Sequence, residues 1–306
     1  MPCAEIIPCI PDADNADVGS FITIKVDFPH YIDVEFFMPS KLHTLLSIAG
    51  SDPLGCAGIQ ADIRSGNLMG VHVLTAVTAV TSQNSGGLTK IGSVNPDLLE
   101  SQLKAILEEV IPDAIKIGMV GSKDNFVVIS NFLKSLNPGV KVVIDTIIRV
   151  SSDNKLLIKS SSEEDIVSYY LRYLFPFATV VTPNIPEMNL LTNTDSKNWD
   201  CSSLDYLNTN AIIVKGGHSD SKFIEDTLIL PDKILTCSHS KYECNNLHGT
   251  GCTYSSILAS CLALGKNLQE AFYITSTKME NIISQSCEYT LGFSNYGPLN
   301  INQYSL

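Results

Sequence analysis

The chain has 306 residues, 44% of them hydrophobic and 17% charged, enough to bury a substantial core as one large α/β domain or two modest ones. With 20 basic residues against 32 acidic ones the formal charge is −12, which repels phosphate backbones and argues against nucleic-acid partners. Nine cysteines without C-x-x-C pairs, no apolar run near the roughly 20 residues a bilayer demands, and no basic n-region argue against a disulfide framework, a zinc cage, a membrane partner and a secretory leader, so a cytoplasmic protein with reduced thiols is expected.

Residues 1–40 differ in texture from the rest, with Pro2, Pro8 and Pro11, an acidic stretch, and the alternating run Phe21 to Phe28. They read as an appended extension, forming one or two strands or partly disordered. Residues 41–306 read as the principal domain. From Leu45 short β-rich runs alternate with helical patterns: a strand over 45–49, helix 58–69, a strand from Val71 to Val80, helix 97–110, a strand over 114–117, and helix 123–135. The series continues with a strand over 140–144, helix 163–173, strand 179–181, a short helix from Pro186, strand 211–214, a hairpin over 227–242, and helices 251–264 and 268–285. Such alternation predicts βαβ units and a mostly parallel sheet covered on both faces. Glycines and polar residues follow nearly every strand, as in Gly50-Ser51-Asp52, Gly118-Met119, Asp145, Thr182-Pro183-Asn184 and Lys215-Gly216-Gly217. In open parallel sheets ligands bind beyond the carboxyl ends of the strands, so these residues converge where chemistry is expected.

The most informative segment is Leu247-His248-Gly249-Thr250-Gly251-Cys252-Thr253, a glycine turn running into an apolar-periodic helix. Its backbone N–H groups and the helix N-terminus, worth about half a positive charge, suit a phosphoryl group. Neither a Walker loop nor G-x-G-x-x-G is present. Cys252 lies where the helix begins, so its thiol is expected to be acidified and to accept a substrate proton; the alternative is a small packing residue. A second glycine-rich loop, Gly50 to Gly58, leads into Asp62, which reads either as a first-turn carboxylate or as an acceptor for substrate hydroxyl or amine groups. Asn184 and Glu187 are spaced to flank a metal–phosphate complex together with Asp145, or to cap a helix. Lys215 is a strand-end lysine or a phosphate contact.

Eight segments in order resemble the hydroxymethylpyrimidine/phosphomethylpyrimidine kinases of the ribokinase-like superfamily. They are Ser47 to Asp52, Ala57 to Asp62, Thr78 to Asn84, Lys116 to Met119, Val181 to Asn184, Val214 to His218, His248 to Thr253, and Gly297 to Asn300. The resemblance covers about residues 45–300 and implies a three-layer α/β/α sandwich, a homodimer, and two successive phosphorylations with ATP and Mg2+. The first falls on the hydroxymethyl group of 4-amino-5-hydroxymethyl-2-methylpyrimidine, the second on its monophosphate. It further implies Gln83, Asp62, Ala57 and Ile147 around the pyrimidine, Asn184, Lys215 and His248 for ATP, Glu187 and Asp145 for the metal, the amides of Gly249, Thr250 and Gly251 as anion hole, and Cys252 as base.

Two segments depart from that pattern. The usual S-G-G-A-G loop reads Leu54-Gly55-Cys56-Ala57-Gly58, and the usual D-P-V-M followed by K-S-G reads Asp145 to Ser152, with Arg149 as a replacement cation. One alternative activity is pyridoxal kinase. Gln83 favours the aminopyrimidine, because an amide can donate to a ring nitrogen and accept from the exocyclic amine. The alternative of another class is a non-catalytic pyrimidine or thiamine sensor.

Overall fold

Strands buried on both faces read as unbroken apolar runs, and the runs beginning at Leu45, Ala114, Val142, Val180 and Ala211 form the middle of one sheet in the computed structural model. The structure describes residues 20–28, 30–38, 41–149, 158, 161–194, 199–217, 223–287, 291 and 297–301. They divide into two units, Met1–Leu42 and His43–Leu306. In the first, β1 (Ser20–Phe28) pairs antiparallel with β2 (His30–Met38), Ser20 facing Met38. The alternating run of the N-terminal segment is thus one arm of a hairpin.

The second unit is built on a nine-stranded sheet. Its strands are β3 (Thr44–Ser51), β4 (His72–Asn84), β5 (Gly87–Ser93), β6 (Ala114–Ile117), β7 (Lys141–Ile144), β8 (Val180–Val181), β9 (Ile212–Val214), β10 (Phe223–Ile229) and β11 (Ile234–Ser240). Their order across the sheet is 11-10-9-8-7-6-3-4-5, with the antiparallel pairings confined to β4–β5, β9–β10 and β10–β11. The chain leaves β3 toward β4 on one side and returns through β6 on the other, so the switch point lies between β3 and β6.

Period-two alternation sorts the strand residues into two cores. Leu46, Ile48, Ile115, Ile117, Val142 and Ile144 pack with α2 (Pro96–Glu109), α3 (Lys123–Ser135), α4 (Glu163–Tyr169), α5 (Ile185–Thr192) and α6 (Ser202–Leu207). Leu45, Ala114, Val143, Val180 and Ile213 pack with α7 (Thr250–Ala263) and α8 (Leu268–Ser286) on the opposite face, where α1 (Gly58–Leu68) also lies against α7. This is the expected three-layer sandwich. Among the described residues no helix is long and apolar enough to cross a membrane.

Three details depart from the sequence reading. β5 is a half-exposed edge strand, Gly-Leu-Thr-Lys-Ile-Gly-Ser, too polar to register as a buried run. The helix expected over 163–173 widens into a π turn at Tyr170–Leu174 and ends in a 3-10 turn at Phe175–Phe177, where Pro176 prevents its continuation. α6 is a six-residue helix with too few turns to show a periodicity. Beyond β9, Gly216 donates its N–H to Asp226 Oδ1 at 2.9 Å, and a Cβ there would lie 2.1 Å from the backbone oxygen of Glu225 in β10. Because the obstacle is backbone, Gly216→Ala is expected to destabilise the protein by about 2 to 3 kcal/mol, measurable as a lower urea midpoint with an unchanged slope.

Candidate active site

Under the switch point lies a polar cluster that an apolar layer would otherwise exclude. Lys116, in the middle of β6, is fully buried and reaches both oxygens of Asp62 on α1, at 2.9 and 3.0 Å. Ser256 of α7 donates to Asp62 Oδ1 at 2.6 Å and Ser47 of β3 to Oδ2 at 2.5 Å. Asp62 itself is 0% exposed, its acceptor positions filled from three other elements. Expected beside the substrate, it is therefore placed as an internal anchor. Lys116 was not among the expected site residues; burial works against its charge, but Asp62, Cys252 and Asp145 hold its pKa above the ordinary lysine value.

A second buried carboxylate shapes the loop between β3 and α1. Asp52 accepts N–H bonds from Leu54 at 3.0 Å, Cys56 at 2.9 Å and Ala57 at 2.8 Å, and the Nε2 atom of His248 lies 3.4 Å from its Oδ2. Burial opposes its ionisation, but His248 and the backbone donors prevail and keep Asp52 below the usual aspartate range. Ala57 thus spends its N–H on Asp52 and its carbonyl on Ala61, leaving it to shape the loop by its size. His248, expected at the nucleotide, turns its buried ring toward this loop, while its backbone bridges to Pro298.

The glycine turn is pressed onto the same loop. Gly249 has φ 87°, and a Cβ on it would lie 1.8 Å from the Cys56 carbonyl oxygen, so only glycine fits both the conformation and the contact. α7 begins at Thr250, bringing Gly251 beside the end of β7: a Cβ on Gly251 would be 3.5 Å from Lys215 Nζ and 3.6 Å from Asp145 Oδ2. Cys252 follows, partly exposed, with the Gly58 backbone as a hydrogen-bond partner. Its thiol is not acidified as expected from the helix N-terminus. Burial pushes it up to about 11, Lys116 pulling it down and Asp145 and Asp62 adding to the rise.

Lys215 Nζ donates to Asp145 Oδ1 at 2.7 Å, Thr182 Oγ1 to the same oxygen at 3.3 Å, and Ser255 Oγ to Oδ2 at 3.3 Å. Burial raises the Asp145 pKa and the two lysines Lys215 and Lys116 lower it further, leaving it below the ordinary aspartate value. Asn184 and Glu187 form a reciprocal capping box on α5, Glu187 N donating to Asn184 Oδ1 and Asn184 N to Glu187 Oε2, each at 2.8 Å. Burial, with Asp145 adding to it and Lys215 opposing, holds the Glu187 carboxyl up at about 7. Two carboxylates in mutual repulsion around one lysine fit a divalent cation, whose charge would relieve both.

Toward β4 the surroundings are apolar. Ala79 and Met119, with Ile91 and Ile147 against them, form a small cluster apart from the two cores. Ile147 is fixed by Tyr170, whose hydroxyl accepts from its N–H and donates to its carbonyl, each at 3.1 Å. Gly50 leaves room there, since a Cβ on it would sit 2.9 Å from Met119 Sδ. Gln83 is half-buried near the carboxyl end of β4, next to the bulge at Ser82/Gln83. Arg149 pairs with Glu163 at 2.5 Å. Val150 to Ser152 and His218, the remaining parts of the expected motifs, lie outside the described residues.

Polar groups at the strand ends, a glycine turn at a helix N-terminus and an apolar wall at the switch point fit a small-molecule phosphotransferase on a ribokinase-like scaffold. A family described as phosphomethylpyrimidine kinase matches residues 52–300. The hydroxymethylpyrimidine/phosphomethylpyrimidine kinase of Staphylococcus aureus strain MSSA476 is 31% identical over 252 residues, 80% of this chain and 88% of that protein. The solved phosphomethylpyrimidine kinase of Clostridium difficile 630 is 31% identical with a TM-score of 0.66, over 79% of this chain and 98% of that one. A pyridoxal kinase from Staphylococcus aureus, solved with AMP-PCP and pyridoxal, shares the fold at 24% identity and a TM-score of 0.74, over 86% of this chain and 95% of that one. The chain belongs to the phosphomethylpyrimidine kinase family.

Since Asp62 is fully buried, removing its cation leaves a charge without compensation. Lys116→Met is expected to cost about 3 to 5 kcal/mol of folding stability, and Lys116→Met combined with Asp62→Leu to recover part of it. A double-mutant cycle in urea measures this coupling.

Proposed function

We propose that the chain phosphorylates the hydroxymethyl group of 4-amino-5-hydroxymethyl-2-methylpyrimidine, and then its monophosphate, with ATP and Mg2+. What supports this reading most is the approach of Gly251 at the start of α7 to the Lys215–Asp145 pair at the ends of β9 and β7. Donor phosphates and an acceptor hydroxyl meet between these elements. Residues 41–306 carry the chemistry in this reading and 1–40 are an appended extension. A cytoplasmic homodimer is part of the same proposal.

Phosphoryl transfer has a loose transition state, so a kinase gains most from positioning and from stabilising charge. The N–H groups of Gly249 and Gly251 face the phosphoryl group in transit, whereas the Thr250 N–H, expected beside them, donates to the Leu247 carbonyl at 3.4 Å; Lys215 neutralises charge on the donor. Asp145 and Glu187 would hold the magnesium ion, which would supply charge stabilisation to the phosphates. Asn184 holds Glu187 in place through the capping box. The Ala79, Met119 and Ile147 wall takes one face of the pyrimidine ring, and Gln83 reads its polar edge. Cys252 accepts the hydroxyl proton late, with Lys116 beneath it favouring the thiolate.

Substrate choice tests the assignment. With Mg-ATP, the aminopyrimidine alcohol is expected to show at least tenfold higher kcat/KM than pyridoxal, about 1.4 kcal/mol in transition-state binding. Equal or reversed values assign the chain as a pyridoxal kinase, and no turnover of either as a sensor.

The base is tested separately. Cys252→Ala keeps the turn and the helix but removes the proton acceptor, so kcat is expected to fall about 10²-fold or more with Mg-ATP binding little changed. With its pKa at about 11 the thiol is mostly protonated at neutral pH, so the wild-type rate should climb across the alkaline range as thiolate forms. Cys252→Asp should recover part of the rate and lack that climb. A Cys252→Ala variant that retains most of its kcat would make Cys252 a packing residue.

A further inference from the structure

Where the β3–α1 loop meets the glycine turn, three side chains of different chemistry converge. Asp52, Cys56 and His248 are 2%, 1% and 7% exposed, and their ligand atoms lie within 4.8 Å of one another. Among the described residues this is the one place where three histidine, cysteine or carboxylate groups approach so closely. The separation of His248 Nε2 from Asp52 Oδ2, 3.4 Å, is that of two ligands on one tetrahedral centre, whose bonds are about 2.0 to 2.3 Å long. The Cys56 sulfur is held only by a weak 3.6 Å contact with the Leu54 carbonyl, so a modest rotation completes the triangle. The Asp52 carboxylate is held in place by the Cys56 and Ala57 N–H groups on Oδ2 and the Leu54 N–H on Oδ1.

We propose that Asp52, Cys56 and His248 form a site for a zinc-class divalent ion, separate from the magnesium of the phosphoryl donor. The donor set selects the metal. A thiolate and an imidazole suit borderline-soft ions such as Zn2+ and Co2+, whereas Mg2+ prefers oxygen ligands and water. Charge balances as well: one carboxylate and one thiolate neutralise the dication, and the histidine binds neutral. On binding, Cys56 releases its thiol proton to solvent, and His248 gives up its hydrogen bond to Asp52 to present the Nε2 lone pair to the ion. Three protein ligands leave a fourth position for water, the pattern of an open rather than a closed zinc site. The ion would cross-link residues 52–56 to residue 248 and so lock the substrate loop against the phosphate turn.

The test uses the full chain after chelator treatment, titrated with Co2+. A tetrahedral d–d spectrum with a near-ultraviolet thiolate-to-cobalt band, saturating at one equivalent and displaced by Zn2+, is expected. Cys56→Ala should abolish the thiolate band, and His248→Gln should weaken Co2+ binding tenfold or more, while Cys252→Ala keeps the band. Zn2+ at about a hundred times its dissociation constant should raise the Tm of the wild type by about 5 °C and leave that of Cys56→Ala unmoved. The site is refuted if the wild type gives no thiolate band, or if Cys56→Ala binds Co2+ with the wild-type spectrum and affinity. Circular dichroism of both variants establishes that a lost band reflects a lost ligand and not a lost fold. None of these readouts depends on kinase activity.

Discussion

The Lys116–Asp62 ion pair is the constraint on which the rest of the second unit depends. A charged pair with no exposure gains little net stability, because desolvation offsets most of the Coulomb attraction. What it fixes is geometry. Lys116 comes from β6, Asp62 from α1, Ser47 from β3 and Ser256 from α7, so one carboxylate sets the mutual positions of the two strands at the switch point and of the two helices covering them. Both glycine-rich segments begin or end on these elements. A shift of α7 along the sheet would separate Ser256 from Asp62 and carry the turn at Gly249 with it.

Around this anchor the site works against the charge of the whole molecule. A chain of net charge −12 can offer an anion only local positive groups, and those at the strand ends are one lysine, one helix N-terminus and a set of backbone N–H groups. Asp145, ionised between Lys215 and Lys116, and Glu187, held near neutrality by burial, give the same small space opposite responses to an arriving cation. The first is already compensated by protein; the second, held up by burial, gains more from a further positive charge.

The sheet was legible because burial on both faces writes strands as apolar runs, and the strand-end glycines marked the edge where the site lies. Directions were less legible. Asp62, Ala57 and His248 occur in segments that do border the site, yet each turns its polar groups inward, to Lys116, to Asp52 and Ala61, and to Asp52 respectively. A motif fixes where the backbone goes and not what each side chain faces. Lys116 did leave a signal: a lysine inside Ala-Ile-Lys-Ile, in a strand that is apolar on both sides, requires a buried partner, and Asp62 follows Ala61 on the packed face of α1. The shift of the Cys252 thiol was not readable, because it depends on how much water three separate segments exclude.

The contact between Gly249 and Cys56 is unequal in what it demands of the two residues. On one side it requires the absence of a side chain; on the other it uses a carbonyl oxygen, which every amino acid possesses. Position 56 therefore constrains the turn through its backbone alone, its buried side chain answering to other neighbours, whereas position 249 is closed. Any side chain that fits the buried space beside Asp52 and His248 leaves the backbone surface seen by the glycine turn the same. The cysteine that stands there in this chain is one outcome of that freedom.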